Sequence, residues 1–306
     1  MSDKEEKKEN IMGTLGITRL IMKMSLPLMI SMLIQALYNI VDSMFVARVS
    51  ETALTAVSLA FPLQNLLIAF GVGTGVGMAS YLSRKLGEKD TETATKAAGN
   101  GITLAVITWV LFAILGLTIV KPFMALFTDD AELLGLSTSY SEIVMIFSFF
   151  MLLSMMNERI LQGTGDSFSS MLSQMTGAIT NIILDPVFIF VFKMGVNGAA
   201  IATVIGQAVG CAVSLYFVIR NKYIKIKPQH LKLEKRMVAS IYSVGAPTII
   251  TNSIGTVMTG AMNAILIGFS TTAVSVFSVY FKLQSFVFMP IFGLSSGMVP
   301  IIAYNY

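Results

Sequence analysis

Charge is what this 306-residue chain has least of: Asp, Glu, Lys and Arg make up 12% of it, against 55% hydrophobic residues. A water-soluble domain carries roughly 25% charged residues, so this chain cannot cover a water-facing surface of its size. One Cys (Cys211) and one His (His230) exclude a disulfide framework and any multi-His or multi-Cys metal site. No nucleophile–base pair or metal cluster stands out, so an enzyme is not expected. The net charge of +4 is small and its basic residues sit in loops, which argues against a nucleic-acid partner. Cys211 reads as a small packing residue and His230 as a solvated loop residue.

What the chain does have is long apolar runs. Eight can be drawn, at 20–46, 54–82, 97–120, 138–161, 170–192, 197–219, 238–268 and 274–302. Each reaches the ~20 residues that cross a bilayer as a helix. They are continuous, unlike the alternating ~10-residue strands of a membrane barrel. The expected fold class is an all-α membrane protein with about eight transmembrane helices. Residues 1–19 carry charges of both signs and read as a cytoplasmic tail. They do not read as a signal peptide, because the apolar run after Lys23 is too long and no small-residue cleavage site closes it.

Basic residues cluster in the tail (Lys4, Lys7, Lys8, Arg19, Lys23), after the second run (Arg84, Lys85, Lys89, Lys96) and after the sixth (Arg220 to Arg236). The alternate loops hold Arg48, Lys121 and Lys193 singly. Positive charge stays on the cytoplasmic side, which places the N-terminus and the even-numbered loops there, in a cell membrane crossed many times. Residues 20–219 then form a first lobe of six helices, 220–237 a basic linker able to touch anionic lipid, and 238–306 the start of a second lobe.

An internal repeat supports that division. Aligned without gaps, Pro27 onward matches Pro247 onward at Ile34/Ile254, Ser50/Ser270, Thr52/Thr272, Gln64/Gln284, Gly73/Gly293 and Gly77/Gly297, among others. Six runs separate the copies, so both cross in the same sense and the repeat is parallel, as in one class of transporter. The copies are offset by 220 residues, so two full copies need about 440. The expectation is a second lobe holding only two of its six helices.

Ionisable residues at membrane depth are costly and mark functional sites by default. Ser31, Gln35, Tyr38 and Asp42 step by four, three and four residues onto one face of the first run. Pro27, earlier in that run, removes a backbone hydrogen bond and favours a bend. In NIILDPVFIF, Asn181 lies one turn before Asp185, and Pro186 cannot donate an N–H, which leaves the Ile182 carbonyl free. Asp42 alternatively ends its helix at the interface, and Asp185 alternatively caps a broken one. Thr203, Gln207, Gly210 and Ser214 make a polar stripe that either offers the Thr203 hydroxyl to a cation or serves close helix packing. Lys282, beside Gln284 in the eighth run, either snorkels to the interface or lines a cavity. The run Gly71, Gly73, Gly75, Gly77 is helix packing and not a phosphate loop, since no Lys-Ser/Thr follows.

The stretches LPLMISMLIQALYNIVDSMFVAR, LAFPLQNLLIAFGVGTGVGMASYLSRKLGEKD, LQGTGDS and NIILDPVFIFVFKMGVNGAAIATVIGQ resemble the multidrug and toxic compound extrusion (MATE) family, from about Ser25 to Tyr306. That resemblance implies twelve helices in two lobes, exporting organic cations and drugs against H⁺ or Na⁺, with no cofactor beyond the coupling ion. It implies a cation site in the first lobe made by Asp42, Asp185, Asn181, Thr203 and Tyr38. Pro27 is the family's bending proline, and Asn157 is a looser match to a further Asn of the site. It also implies that the other helices of the second lobe are absent or supplied by another chain. Two rival readings are an inactive membrane fragment and a lipid-linked saccharide flippase of the same wider fold group. A flippase would show several cationic residues for pyrophosphate, and only Lys282 qualifies.

Overall fold

The computed structural model describes residues 10–267 and 271–306; the side chains of scattered residues between 256 and 286 lie outside the description. Among the described residues every regular element is helical. After a single turn at Ile11–Thr14 come α1 (Ile17–Ala47), α2 (Glu51–Gly87), α3 (Thr91–Thr118), α4a (Ala131–Ile146), α4b (Phe149–Gly163), α5 (Ser167–Pro186), α6 (Gly195–Ile219), α7 (Lys235–Ile267) and α8 (Thr271–Asn305).

Polar side chains in the loops set where helices begin. Ser50 accepts from the Ala53 N–H at 3.0 Å, Asp90 from Thr93 at 3.0 Å, Asp130 from Glu132 at 2.8 Å and Asp166 from Ser169 at 3.1 Å. Each satisfies a donor that has no partner within its helix. Outward-facing Ile107, Leu111, Ile114 and Ile183 are exposed, as a lipid-facing surface requires. The interior is filled by Leu67, Met78, Leu82, Phe112, Met156 and Ile160.

One expectation changes. The fourth run is not one straight helix: α4a and α4b meet at a 46° bend. The break frees carbonyls at the end of α4a, and side chains take them up. The Trp109 indole N–H donates to the Ile146 carbonyl at 2.8 Å, and the Ser148 hydroxyl to that of Met145 at 2.7 Å. The exact count of eight spans is not confirmed. Among the described residues six helices are long and apolar enough to cross a membrane, or seven with the bent pair.

The repeat is visible in the packing. Cβ atoms built on Gly73 and Gly77 of α2 would run into Ile241, Gly245 and Ile249 of α7. Cβ atoms on Gly293 and Gly297 of α8 would run into Ser25, Leu28 and Met29 of α1. Adding 220 to Gly73, Gly77, Ser25 and Met29 gives Gly293, Gly297, Gly245 and Ile249. The two contacts therefore exchange under the repeat, as a two-fold relation demands. The basic linker is strapped to α3. Asn100, buried there, donates to the Lys232 carbonyl at 3.1 Å and accepts from the Glu234 N–H at 2.9 Å, while the Thr103 hydroxyl donates to the Leu231 carbonyl at 2.7 Å. His230, expected in solvent, is half-buried, and its Nδ1 accepts from the Lys227 N–H at 3.1 Å.

Gly245→Val should separate α7 from α2, because its Cβ would sit 2.7 Å from the Gly73 carbonyl oxygen. The expected loss is about 1–3 kcal/mol, read as a lower unfolding temperature in detergent. Gly135→Ala, with open space around it, should leave that temperature unchanged.

Candidate functional site

Helices α5 and α6 touch backbone to backbone. A Cβ on Gly206 would lie 2.8 Å from the Gly177 carbonyl oxygen and 3.0 Å from the Asn181 Cβ. Only glycine allows this approach, and it brings the polar side chains of the two helices together. The Asn181 amide donates to Asp185 Oδ1 at 3.2 Å and to the Thr203 hydroxyl at 3.3 Å. Asp185 is completely buried. Immediately beyond it Pro186 offers no N–H, and the chain widens into a π-helical turn at Val187–Val191, closed by the Phe192 N–H on the Val187 carbonyl at 2.9 Å. Such turns recur at functional sites.

Helix α1 packs along α5 and supplies the opposing acid. The Asp42 and Asp185 carboxyl groups face each other within hydrogen-bonding reach. Tyr38 is in electrostatic contact with both. Asp42 Oδ1, Asp185 Oδ2 and Asn181 Oδ1 are buried and accept no hydrogen bond among the described residues. Each such acceptor costs about 1–3 kcal/mol. A proton or a small cation lying among them removes that cost.

The remaining sequence candidates fall elsewhere. Gln35 is exposed. At 100° per residue it sits about 40° from Ser31 and about 60° from Tyr38, at the edge of the stripe. Pro27 lies inside a continuous α1. Asn157 is completely buried but donates to the Ser214 hydroxyl at 3.2 Å. Ser214 is eleven residues along α6 from Thr203, a rise of about 16 Å, so Asn157 belongs to a different polar layer. The side chain of Lys282, on α8, lies outside the described residues. Cys211 is buried, as a packing residue should be.

Two groups escape the sequence reading. Tyr140 of α4a is buried, in electrostatic contact with Asp42, Asp185 and Tyr38, and accepts from the Gln64 amide at 3.4 Å. Its signal was the polar face Ser137, Tyr140, Ser141, spaced by three and one. Glu158 of α4b is also buried. It falls three residues before the expected end of the fourth run, next to Arg159, where a charge looks like an interfacial one.

Asn181→Leu should strip Asp185 of its donor and cost about 1–3 kcal/mol in thermal unfolding. Thr203→Val should cost less, since Asn181 still reaches Asp185.

The model of the MatE family matches residues 27–187. The multidrug export protein MepA of Staphylococcus haemolyticus is 30% identical over 293 residues, 95% of this chain and 65% of that protein. Its Staphylococcus aureus namesake is 27% identical over 292 residues, with the same coverage. A MOP superfamily transporter from Pyrococcus furiosus superposes with a TM-score of 0.91 at 28% identity, over 96% of this chain and 66% of that one. An outward-facing multidrug resistance MATE family transporter gives 0.89 at 28% identity, over 96% and 66%. The chain thus spans about 65% of the length of these curated relatives. Because the family model covers α1 through α5, including Asp42, Asn181 and Asp185, the chain belongs to the MatE family.

Proposed function

We propose that this chain carries the ion-coupling lobe of a multidrug exporter that takes organic cations outward in exchange for H⁺ or Na⁺. The carrying observation is the set of buried oxygens without donors at Asp42, Asp185 and Asn181. Buried acceptors without a donor are what a proton or an alkali cation needs, and the Asn181 amide would present its oxygen to a cation by turning over. Asp42, Asp185, the Asn181 carbonyl and the Thr203 hydroxyl would hold Na⁺; a proton would sit on the carboxyl pair. Bound ion neutralises the acids. It thereby weakens their hold on a cationic substrate and favours whichever conformation keeps the pair close. Tyr38 and Tyr140 lie close enough to feel the charge of the pair. The name borne by the staphylococcal relatives supports drugs as the substrate class.

The same proposal includes a cell membrane location, with the N-terminus and the basic loops cytoplasmic. It also includes the division into residues 20–219 as one lobe and 238–306 as part of a second, joined by the linker 220–237. The exchange of contacts between Gly73/Gly77 and Gly293/Gly297 supports that division.

Cells expressing the protein should accumulate less ethidium than control cells, and Asp42→Asn or Asp185→Asn should abolish the difference at equal membrane levels. Asn keeps the volume and removes the ionisable group, and a neutral amide at membrane depth is cheaper than a carboxylate. Undiminished export by Asp185→Asn would exclude that residue from coupling. Dissipating the pH gradient or the Na⁺ gradient separately identifies the ion.

A further inference from the structure

Below the aspartate pair lies a second buried carboxylate that the export reading leaves without a role. Glu158 is 8% exposed. Both its oxygens are satisfied: the Ser154 hydroxyl donates to Oε1 at 3.1 Å and the Gln174 amide nitrogen to Oε2 at 2.6 Å. The Gln174 carbonyl oxygen in turn accepts from the Ser31 hydroxyl of α1. Arg159 does not take part directly, since its guanidinium donates to Gln162 at 3.0 Å. The charged and titratable groups facing Glu158 are Arg159, on its own helix, and the Cys211 thiol of α6. Among the described residues α1, α2, α3 and α5 turn no charge toward it.

This layer is separate from the first. Gln174 and Asp185 share a face of α5 eleven residues apart, about 16 Å. Between them the Gly177–Gly206 contact closes the space, and Gly210 packs on the Ser173 carbonyl. Glu158 lies five residues from the end of α4b, at the end of the bundle that carries the basic loops. The two layers communicate through α1, whose one face holds Ser31 at the lower layer and Tyr38 and Asp42 at the upper.

The direction of the lower chain depends on the charge of Glu158. An ionised carboxylate only accepts, so the Gln174 nitrogen must face it and the Gln174 oxygen must face Ser31. A protonated Glu158 donates. Gln174 then turns over, accepts from Glu158 through its oxygen and donates to Ser31 through its nitrogen. The Ser31 hydroxyl is now free to donate elsewhere. Four residues back along α1 is Pro27, whose carbonyl is the acceptor that helical serines commonly use, and that back-bond bends helices. Pro27 already deprives its helix of one hydrogen bond.

We propose that Glu158 is a proton-binding residue, exchanging with the basic-loop side, that positions α1 by reversing the Glu158–Gln174–Ser31 hydrogen-bond chain. The inference does not depend on what the protein exports. The test uses the whole chain in lipid nanodiscs, with Cys211→Ala and spin labels introduced by Met44→Cys on α1 and Leu117→Cys on α3, both exposed positions. Asp42→Asn and Asp185→Asn are added to remove the upper acids. The expected result is a pH-dependent shift in the interspin distance distribution that survives in this background. Glu158→Gln, whose amide can donate like the protonated acid, should lock the low-pH distribution at every pH. Ser31→Ala should abolish the shift while leaving Glu158 free to titrate. Absence of any shift in the Asp42→Asn, Asp185→Asn background would overturn the proposal, as would a full shift in Ser31→Ala. Should Glu158→Gln fail to fold, Ser31→Ala decides the matter alone.

Discussion

A polar group inside a bilayer has no water to turn to, and the rest of this structure follows from that constraint. Every buried donor or acceptor must find a protein partner or an ion. Most find one. The carbonyls freed at the α4a–α4b bend are taken by Trp109 and Ser148, and the linker's backbone is held by Asn100 and Thr103. Among the exceptions are Asp42, Asp185 and Asn181, which the packing of α1 along α5 brings into one neighbourhood. Single unpartnered atoms also occur at Thr138, Ser141, Asn157 and Ser167, but the aspartate pair adds two acids, and that is where a ligand of positive charge belongs.

Glycine makes the convergence possible. Without a Cβ at Gly177 or Gly206, α5 and α6 approach until Asn181 reaches both Asp185 and Thr203. The same device joins the two repeats, at Gly73 and Gly77 on one side and Gly293 and Gly297 on the other. Close backbone contact supplies the van der Waals packing that helices in lipid need, since lipid chains are as apolar as the side chains they replace. It also partitions the interior. The glycine contact that assembles the upper polar layer lies between it and the height of Glu158, and α1 and α5 both reach the two layers.

Much of this was legible in the sequence because helical phase and membrane depth are one-dimensional properties. Apolar runs give the spans, alternation of Lys and Arg gives a sidedness, and a 220-residue offset gives the repeat. Spacing alone put Tyr38 with Asp42 and Asn181 with Asp185 on shared faces. Where phase was coarse the reading slipped. Gln35 is close enough to the stripe to look like a member, yet far enough round to be exposed.

Pairing between helices was not legible, because rotation and height of one helix against another are set by which side chains interlock. Sequence could not say that Asn157 stands beside Ser214 and not beside Asp185, a difference of about three turns in height. It could not show that Tyr140 is buried where it feels the charge of the acid pair, or that Glu158, beside Arg159, is buried under hydrogen bonds from two helices. The chain itself determined that Asp42 and Asp185 lie at membrane depth with a polar neighbour each. Only the tertiary structure decided that the two face one another, because that depends on the Gly177–Gly206 approach and on the packing of α1 along α5.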